Sequence, residues 1–296
     1  MKSVEISSGA EFLAEWIEGH PAYLSDKSVN DIMGATIHPK NKKRMLPFIK
    51  SNFGKLSERE IARRLEIGKT TVNKWRIGLG LEIKKNTVNE NFFKLWNPEM
   101  AYIIGYIFAD GNINWKPEKS YRALTITAAA KDAEHLERIR LNLNSTRKLT
   151  YSADTNSYRL IVNSKEICTD LMKIGLCPKK SLTIKFPNVP EKFLSHFIRG
   201  VIDGDGNVRY VKRERSPYFE ITISSGSKAF LIEMAKKIAS KGIGGNVRKT
   251  GKNVYILQYA CTRGLTLAKW VYDNDSLCLN RKYQQYKIAL GEKGRW

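Results

Sequence analysis

The sequence predicts an α+β fold in which one αββαββα unit occurs twice, preceded by a small all-α domain. Three observations carry this. The run Ile103-Ile104-Gly105-Tyr106-Ile107-Phe108-Ala109-Asp110-Gly111 returns 95 residues later as Ile198-Arg199-Gly200-Val201-Ile202-Asp203-Gly204-Asp205-Gly206. The patterns that follow the two copies come in the same order. Between about residues 44 and 81 the hydrophobic spacing is helical only.

Each copy of the run is an apolar helix with small residues four apart, Gly105 and Ala109 in one, Gly200 and Gly204 in the other. Small residues at that spacing let two backbones approach closely. Packed side by side, the helices would end together, with Gly111 and Gly206 as left-handed caps. Asp110 and Asp205 would then project into one site. Two carboxylates at the negative ends of helix dipoles repel unless a cation lies between them. Carboxylates completed by phosphate and water are the usual seat of Mg²⁺.

After each helix the chain alternates with period two, as Tyr121-Arg122-Ala123-Leu124-Thr125-Ile126-Thr127 and Tyr218-Phe219-Glu220-Ile221-Thr222-Ile223-Ser224. Each is a strand with one apolar and one polar face. Helices at about His135 to Leu143 and Lys228 to Lys241 come next. Second strand pairs end in Ser157–Val162 and Asn253–Tyr259, and a further helix closes each half. A repeat of this length is a duplicated domain rather than a solenoid. Leu124, Ile126, Ile221 and Ile223 should face the helices. Ala123, Thr125, Thr127, Glu220, Thr222 and Ser224 should line a concave, saddle-shaped antiparallel sheet surface.

Ahead of the repeat, Phe12, Leu13, Trp16 and Ile17 suggest one helix, and the basic stretch His38 to Arg44 reads as a loop. Ser57 with Glu60 is a capping box. Ile61, Ala62 and Leu65 mark one helix, Ile67-Gly68 a turn, and Val72 and Trp75 a second helix from near Lys69. The domains are therefore 1–85, with a helix-turn-helix at about 44–80, a linker at 86–97, and halves at 98–190 and 191–296.

The charge balance, 51 Lys+Arg against 29 Asp+Glu for a net +22, favours an anionic partner, foremost nucleic acid. Arg122, Arg147, Lys148, Arg159, Arg209, Lys212, Arg213, Arg215, Arg248 and Lys249 put positive charge on or near the strands. A β-ribbon fits the major groove, where side chains read base edges while most cations hold phosphates. Cys168, Cys177, Cys261 and Cys278 form no CxxC pair and read as reduced thiols of a cytoplasmic, nucleoid-associated, non-secreted protein. The longest apolar run, Met100 to Ala109, is too short for a bilayer, which takes roughly 20 residues. His20, His38, His135 and His196 do not cluster with Asn and Asp as an HNH site requires.

The duplicated motif in its αββαββα setting resembles the LAGLIDADG homing endonucleases in their single-chain, two-motif form, over residues 98–296. The resemblance implies a monomeric, site-specific double-strand DNA endonuclease that leaves short 3′ overhangs at a long asymmetric target. It implies Mg²⁺, with Mn²⁺ substituting, bound by Asp110 and Asp205 at the eighth motif position and by the carbonyls of Ala109 and Gly204 just before. The sixth position, Phe108 in one copy and Asp203 in the other, is not a ligand in that family. A basic residue beside each site falls at Lys180 and Lys282, with Lys179, Lys185 and Arg281 as rivals and Lys131 and Lys228 as further candidates. DNA contacts are expected from Thr125, Thr127, Arg159, Glu220, Thr222, Ser224, Arg248 and Lys249. Leu56 to Arg76 resembles a resolvase-type helix-turn-helix, presenting Lys69, Thr70, Asn73 and Lys74. Two other functions fit the fold: a non-catalytic DNA-binding transcriptional regulator, and a maturase that binds intron RNA. The regulators of this fold place the helix-turn-helix after it and generally lack the acidic pair.

Overall fold

The computed structural model describes residues 39–83, 86–116, 121–178, 180–212, 218–273 and 277–291. The helix expected around Phe12 to Ile17, and Lys179, Arg213 and Arg215, lie outside the described residues. The chain divides into two compact units, 1–85 and 86–296.

In the first unit, helices α1 (Pro39–Asn52), α2 (Glu58–Arg64) and α3 (Lys69–Gly78) enclose Phe48, Ile49, Ile61, Leu65, Val72 and Trp75. The stretch read as a loop around residue 39 instead opens α1. Proline costs nothing at the first helical position, where its missing N–H would be unpaired anyway, and lysines are good helix formers. Ser57 caps α2 by accepting from the Glu60 amide at 3.2 Å. The Glu60 carboxylate bonds Arg63 and Arg64.

The second unit holds the repeat. Its first half runs α4 (Pro98–Asp110), β1 (Gly111–Lys116), β2 (Tyr121–Ala129), α5 (Ala133–Asn142), β3 (Thr150–Ser152), β4 (Ser157–Val162) and α6 (Lys165–Ile174). The second half runs α7 (Leu194–Asp205), β5 (Gly206–Val211), β6 (Tyr218–Ser225), α8 (Lys228–Ala239), β7 (Asn246–Gly251), β8 (Val254–Ala260) and α9 (Cys261–Tyr272). One helix beyond the repeat pattern follows, α10 (Asn280–Gly291), which buries Lys282, Tyr286 and Ala289. The antiparallel sheets have matching orders, β1-β2-β4-β3 and β5-β6-β8-β7. Leu124, Ile126, Ile221 and Ile223 join one core that spans both halves. Residues 86–97 open the second unit and lie against this core, with Phe93 buried and the Asn89 amide bonded to the Leu143 carbonyl. Among the described residues no helix is long and apolar enough to cross a membrane.

Candidate active site

The paired helices α4 and α7 set the geometry. A Cβ on Gly105 would stand 2.1 Å from the Phe197 carbonyl oxygen, and one on Gly200 would stand 2.1 Å from that of Tyr102. Tyr102 and Phe197 are themselves equivalent in the repeat, so the contact is reciprocal about a pseudo-two-fold axis. A Cβ on Gly204 would meet the Ala109 methyl at 2.3 Å. The backbones therefore touch, as the small-residue spacing requires.

The helix ends depart from the expected caps. Gly111 and Gly206 have φ of −89° and −88° and run straight into β1 and β5. Glycine is needed there for space, since a Cβ would lie 2.6 Å from the Ile107 carbonyl oxygen or 2.5 Å from that of Ile202.

Asp110 and Asp205 stand at these joined ends. The spot where Gly204 lacks its Cβ is 3.4 Å from Asp110 Oδ2, which places the first carboxylate over the second helix. Burial and the neighbouring Asp205 charge push Asp110 up to about 6, against the pull of Lys282, Lys180 and the Tyr106 hydroxyl. Asp205 opens toward solvent, yet desolvation still raises it above the ordinary carboxylate range. Each acid feels most strongly the lysine of the other half: Lys282 acts first on Asp110, and Lys180 first on Asp205.

The two lysines lie under the helix ends. Lys180 Nζ donates to the carbonyls of Phe108 at 2.6 Å and Ala109 at 2.8 Å. Lys282 Nζ donates to Ile202 at 2.8 Å, Asp203 at 2.7 Å and Gly204 at 3.4 Å, and also to Gly206. Both are buried, and desolvation lowers both, Lys282 to about 8. A cation at a helix C-terminus satisfies the unpaired carbonyls and offsets the dipole. Replacing Lys282 with Met should lower stability by about 3 kcal/mol, because it leaves buried carbonyls without donors. Lys180→Met should cost less, since fewer carbonyls depend on it. Urea denaturation of both variants measures this, and equal, small losses would contradict the capping role.

The donor set suits a hard divalent cation: two crowded carboxylates, each raised by its surroundings, beside backbone carbonyls. Among the described residues no third His, Cys, Asp or Glu joins them as a metal cluster. Phosphate and water would complete the shell, as Mg²⁺ prefers. A groove of about 610 Å³ opens beside Asp110, with Thr127, Arg159, Asp132, Gly204 and Arg281 on its walls. The Arg281 guanidinium forks onto Asp132 at 2.8 and 3.0 Å, joining the second half to the first.

On the saddle, Thr125, Thr127 and Thr222 are half-buried, and Arg159, Ser224, Arg248 and Lys249 are exposed. Glu220 differs: it is buried, accepting from Tyr218, from Thr222 at 2.9 Å and from Gln258 at 2.8 Å. Gln258 Oε1 in turn accepts from Arg248 at 3.2 Å. Glu220 thus orients its neighbours on the saddle. Ala123 is also covered, against expectation. The same surface carries residues not singled out from the sequence. Asn112 and Asn114 are exposed on β1, and Asn114 donates to Thr125 at 3.0 Å. Their register with β2 gives the signal, since Asn112 pairs with Thr125 on the polar face. Lys131, Lys185 and Lys228 are exposed. In the first unit Lys69, Thr70 and Lys74 are exposed on α3, whereas the Asn73 side chain accepts at Oδ1 from Arg76 at 2.9 Å.

Residues 97–175 and 192–278 match the sequence model of the LAGLIDADG-like domain, more than half of the chain. The chain belongs to the LAGLIDADG family. The uncharacterized protein MJ0398 of Methanocaldococcus jannaschii is 28% identical over 205 residues, 64% of this chain and 69% of that protein. Among solved structures, meganuclease I-SmaMI bound to uncleaveable DNA is similar with a TM-score of 0.46 at 14% identity, covering 67% of this chain and 90% of its own. I-DmoI in complex with DNA and Mn gives 0.44 at 18% identity, covering 60% and 98%. In this LAGLIDADG chain the sixth motif position is filled by opposite chemistries. Phe108 packs against Phe197 and Phe230 at ring distances of 5.6 and 6.4 Å. Asp203, 1% exposed, is held by three donors.

Proposed function

We propose that this protein is a site-specific endonuclease that hydrolyses both strands of double-stranded DNA at a long, asymmetric target with a divalent metal, Mg²⁺ or in its place Mn²⁺. The observation that carries the reading is the reciprocal backbone contact of α4 and α7, which brings Asp110 and Asp205 to one place. Hydrolysis adds water oxygen to phosphorus and breaks the bond to the 3′ oxygen. A divalent ion held by the two aspartates, with the Ala109 and Gly204 carbonyls, would stabilise charge on the attacking and leaving oxygens. Lys180 and Lys282 hold the helix ends rigid and keep positive charge beside the phosphate path.

Differences between the halves support asymmetry of the target. In the first saddle Thr127 pairs with Arg159; in the second Ser224 pairs with Ile256, and Thr222 with Gln258. We read the first unit as a helix-turn-helix that binds DNA through Lys69, Thr70 and Lys74. The Lys69→Ala, Lys74→Ala double variant should weaken DNA binding and reduce the slope of log affinity against log salt by about one for each phosphate left unneutralised. Anisotropy titrations at several salt concentrations measure this; an unchanged slope would remove α3 from the interface.

The test of the activity is a randomised DNA library incubated with purified protein in Mg²⁺, Ca²⁺ or EDTA. Selected fragments should be bound in Ca²⁺ and cut on both strands only in Mg²⁺. Binding without cutting in Mg²⁺ would favour a regulator of the same fold instead.

A further inference from the structure

Asp203 does more than fill the sixth motif position. Its Oδ2 accepts from the Tyr102 hydroxyl of α4 at 2.7 Å and from the Leu279 amide at 2.7 Å, while Oδ1 accepts from the Tyr272 hydroxyl that ends α9 at 2.7 Å. Leu279 is the last residue before α10, and its carbonyl starts that helix by accepting from the Lys282 and Tyr283 amides at 3.0 and 3.1 Å. Lys282, three residues on, reaches back to three carbonyls at the end of α7, that of Asp203 among them, and to that of Gly206 at the start of β5. One buried side chain thus ties both motif helices to the start of the helix that bears the lysine.

Among the described residues the first half has no such tie. Lys180 sits in a short 3₁₀ turn (Lys180–Leu182), and the equivalent of Asp203 is Phe108, held by ring packing. A carboxylate inside an apolar helix is costly unless every lone pair finds a donor, and here three donors converge on it. That expense fits a requirement for placement that apolar packing does not meet, because hydrogen bonds fix α10 in register as well as in contact.

We propose that Asp203 is a positioning residue that sets Lys282, and through it one of the two half-sites, so that the two strands depend on different supports. Strand dependence rests on the nuclease reading above; the placement of α10 does not.

Two substitutions of Asp203, with Lys282→Ala and the double variant for reference, and two readouts test it. In Asp203→Ala, amide hydrogen exchange at Leu279 and in the first turn of α10 should quicken by at least about tenfold, the loss of one good hydrogen bond or more. The Ile184 amide, which bonds the Lys180 carbonyl at 2.9 Å, should keep its protection. On a supercoiled plasmid carrying the target, open circles should accumulate. End-labelling should show the slowed strand to be the one slowed by Lys282→Ala, with the double variant no worse than Lys282→Ala alone. Asp203→Asn keeps an acceptor for Leu279 and should restore much of both protection and cutting. Equal loss at Leu279 and Ile184, equal slowing of both strands, or no change at Leu279 would each overturn the proposal. A wild-type chain that cuts no DNA would sink the nuclease reading, and exchange at Leu279 and Ile184 would still decide the placement of α10.

Discussion

Gly200→Val should unfold the second unit or cost it more than about 4 kcal/mol. Core mutations of that size come from overpacking that nothing can absorb. The new Cβ alone would lie 2.1 Å from the Tyr102 carbonyl oxygen and 2.8 Å from the Tyr106 amide nitrogen, both backbone atoms of the facing helix. Neither can move without dragging α4. Gly204→Ala should be milder, about 1–3 kcal/mol, because its methyl meets the side chain of Ala109 rather than backbone. Removing that methyl with Ala109→Gly should recover part of the loss, less the helix propensity of about 1 kcal/mol forfeited by a second glycine. Gly78→Ala in α3 is the control, since nothing lies within 4 Å of its Cβ. Thermal and urea denaturation separate these cases, and a Gly200→Val chain as stable as the parent would show that the helices do not touch.

Asp110→Asn should raise the melting temperature of the metal-free protein while removing its response to divalent metal. The Asp110 carboxyl is raised from 3.8 to about 6, so ionising it costs more in the folded chain than in the unfolded one. Its contribution to stability is complete below about pH 4 and is lost as pH rises through about 6. At pH 8 the ionised group therefore opposes folding by up to about 3 kcal/mol, and the amide does not. On the proposed reading metal should reverse the sign, because the ionised pair is what the cation would bind. Wild-type protein should melt higher with added Mn²⁺ or Mg²⁺ at pH 8, and this gain should fade as pH drops through about 6. His135 works against the acid trend in the metal-free protein. It is buried and lowered to about 4, so its contribution is present above about 6.5 and is lost as pH falls toward 4. Melting curves between pH 5 and 8 for wild type and Asp110→Asn isolate the aspartate effect, since His135 is common to both. Identical profiles would mean that Asp110 carries no excess charge cost.

The repeat was legible because its signals are local. Period-two strands, helical stripes and small residues four apart are all written within a dozen residues, and each sets one element or one contact. The convergence of Asp110 and Asp205 follows from those local signals once two equal helices are packed on their small faces. What stayed hidden depends on side chains that reach across the fold. The resemblance points to Lys180 and Lys282 but not to their capping role: Lys180 caps carbonyls 71 and 72 residues back, and Lys282 carbonyls 76 to 80 residues back, with no periodicity to betray those bonds. The two lysines are also 102 residues apart, out of step with the 95-residue motif spacing, because the intervening connections differ in length. Asp203 left a readable trace: an acid where the other copy has Phe must find donors if it is buried. Glu220 left none, since an alternating polar position looks the same whether it faces solvent or a hydrogen-bonded neighbour.

On the proposed reading, two aspartates joined by the contact of α4 and α7 form one metal-dependent site for cutting both strands. Cleavage of an end-labelled target by wild type and by Asp110→Asn in Mg²⁺ tests it most directly. Wild type should cut both strands and lose all cutting in EDTA, and Asp110→Asn should bind the same DNA yet cut at least about 1000-fold more slowly. Cutting of both strands by Asp110→Asn at the wild-type rate would remove Asp110 from the cutting site.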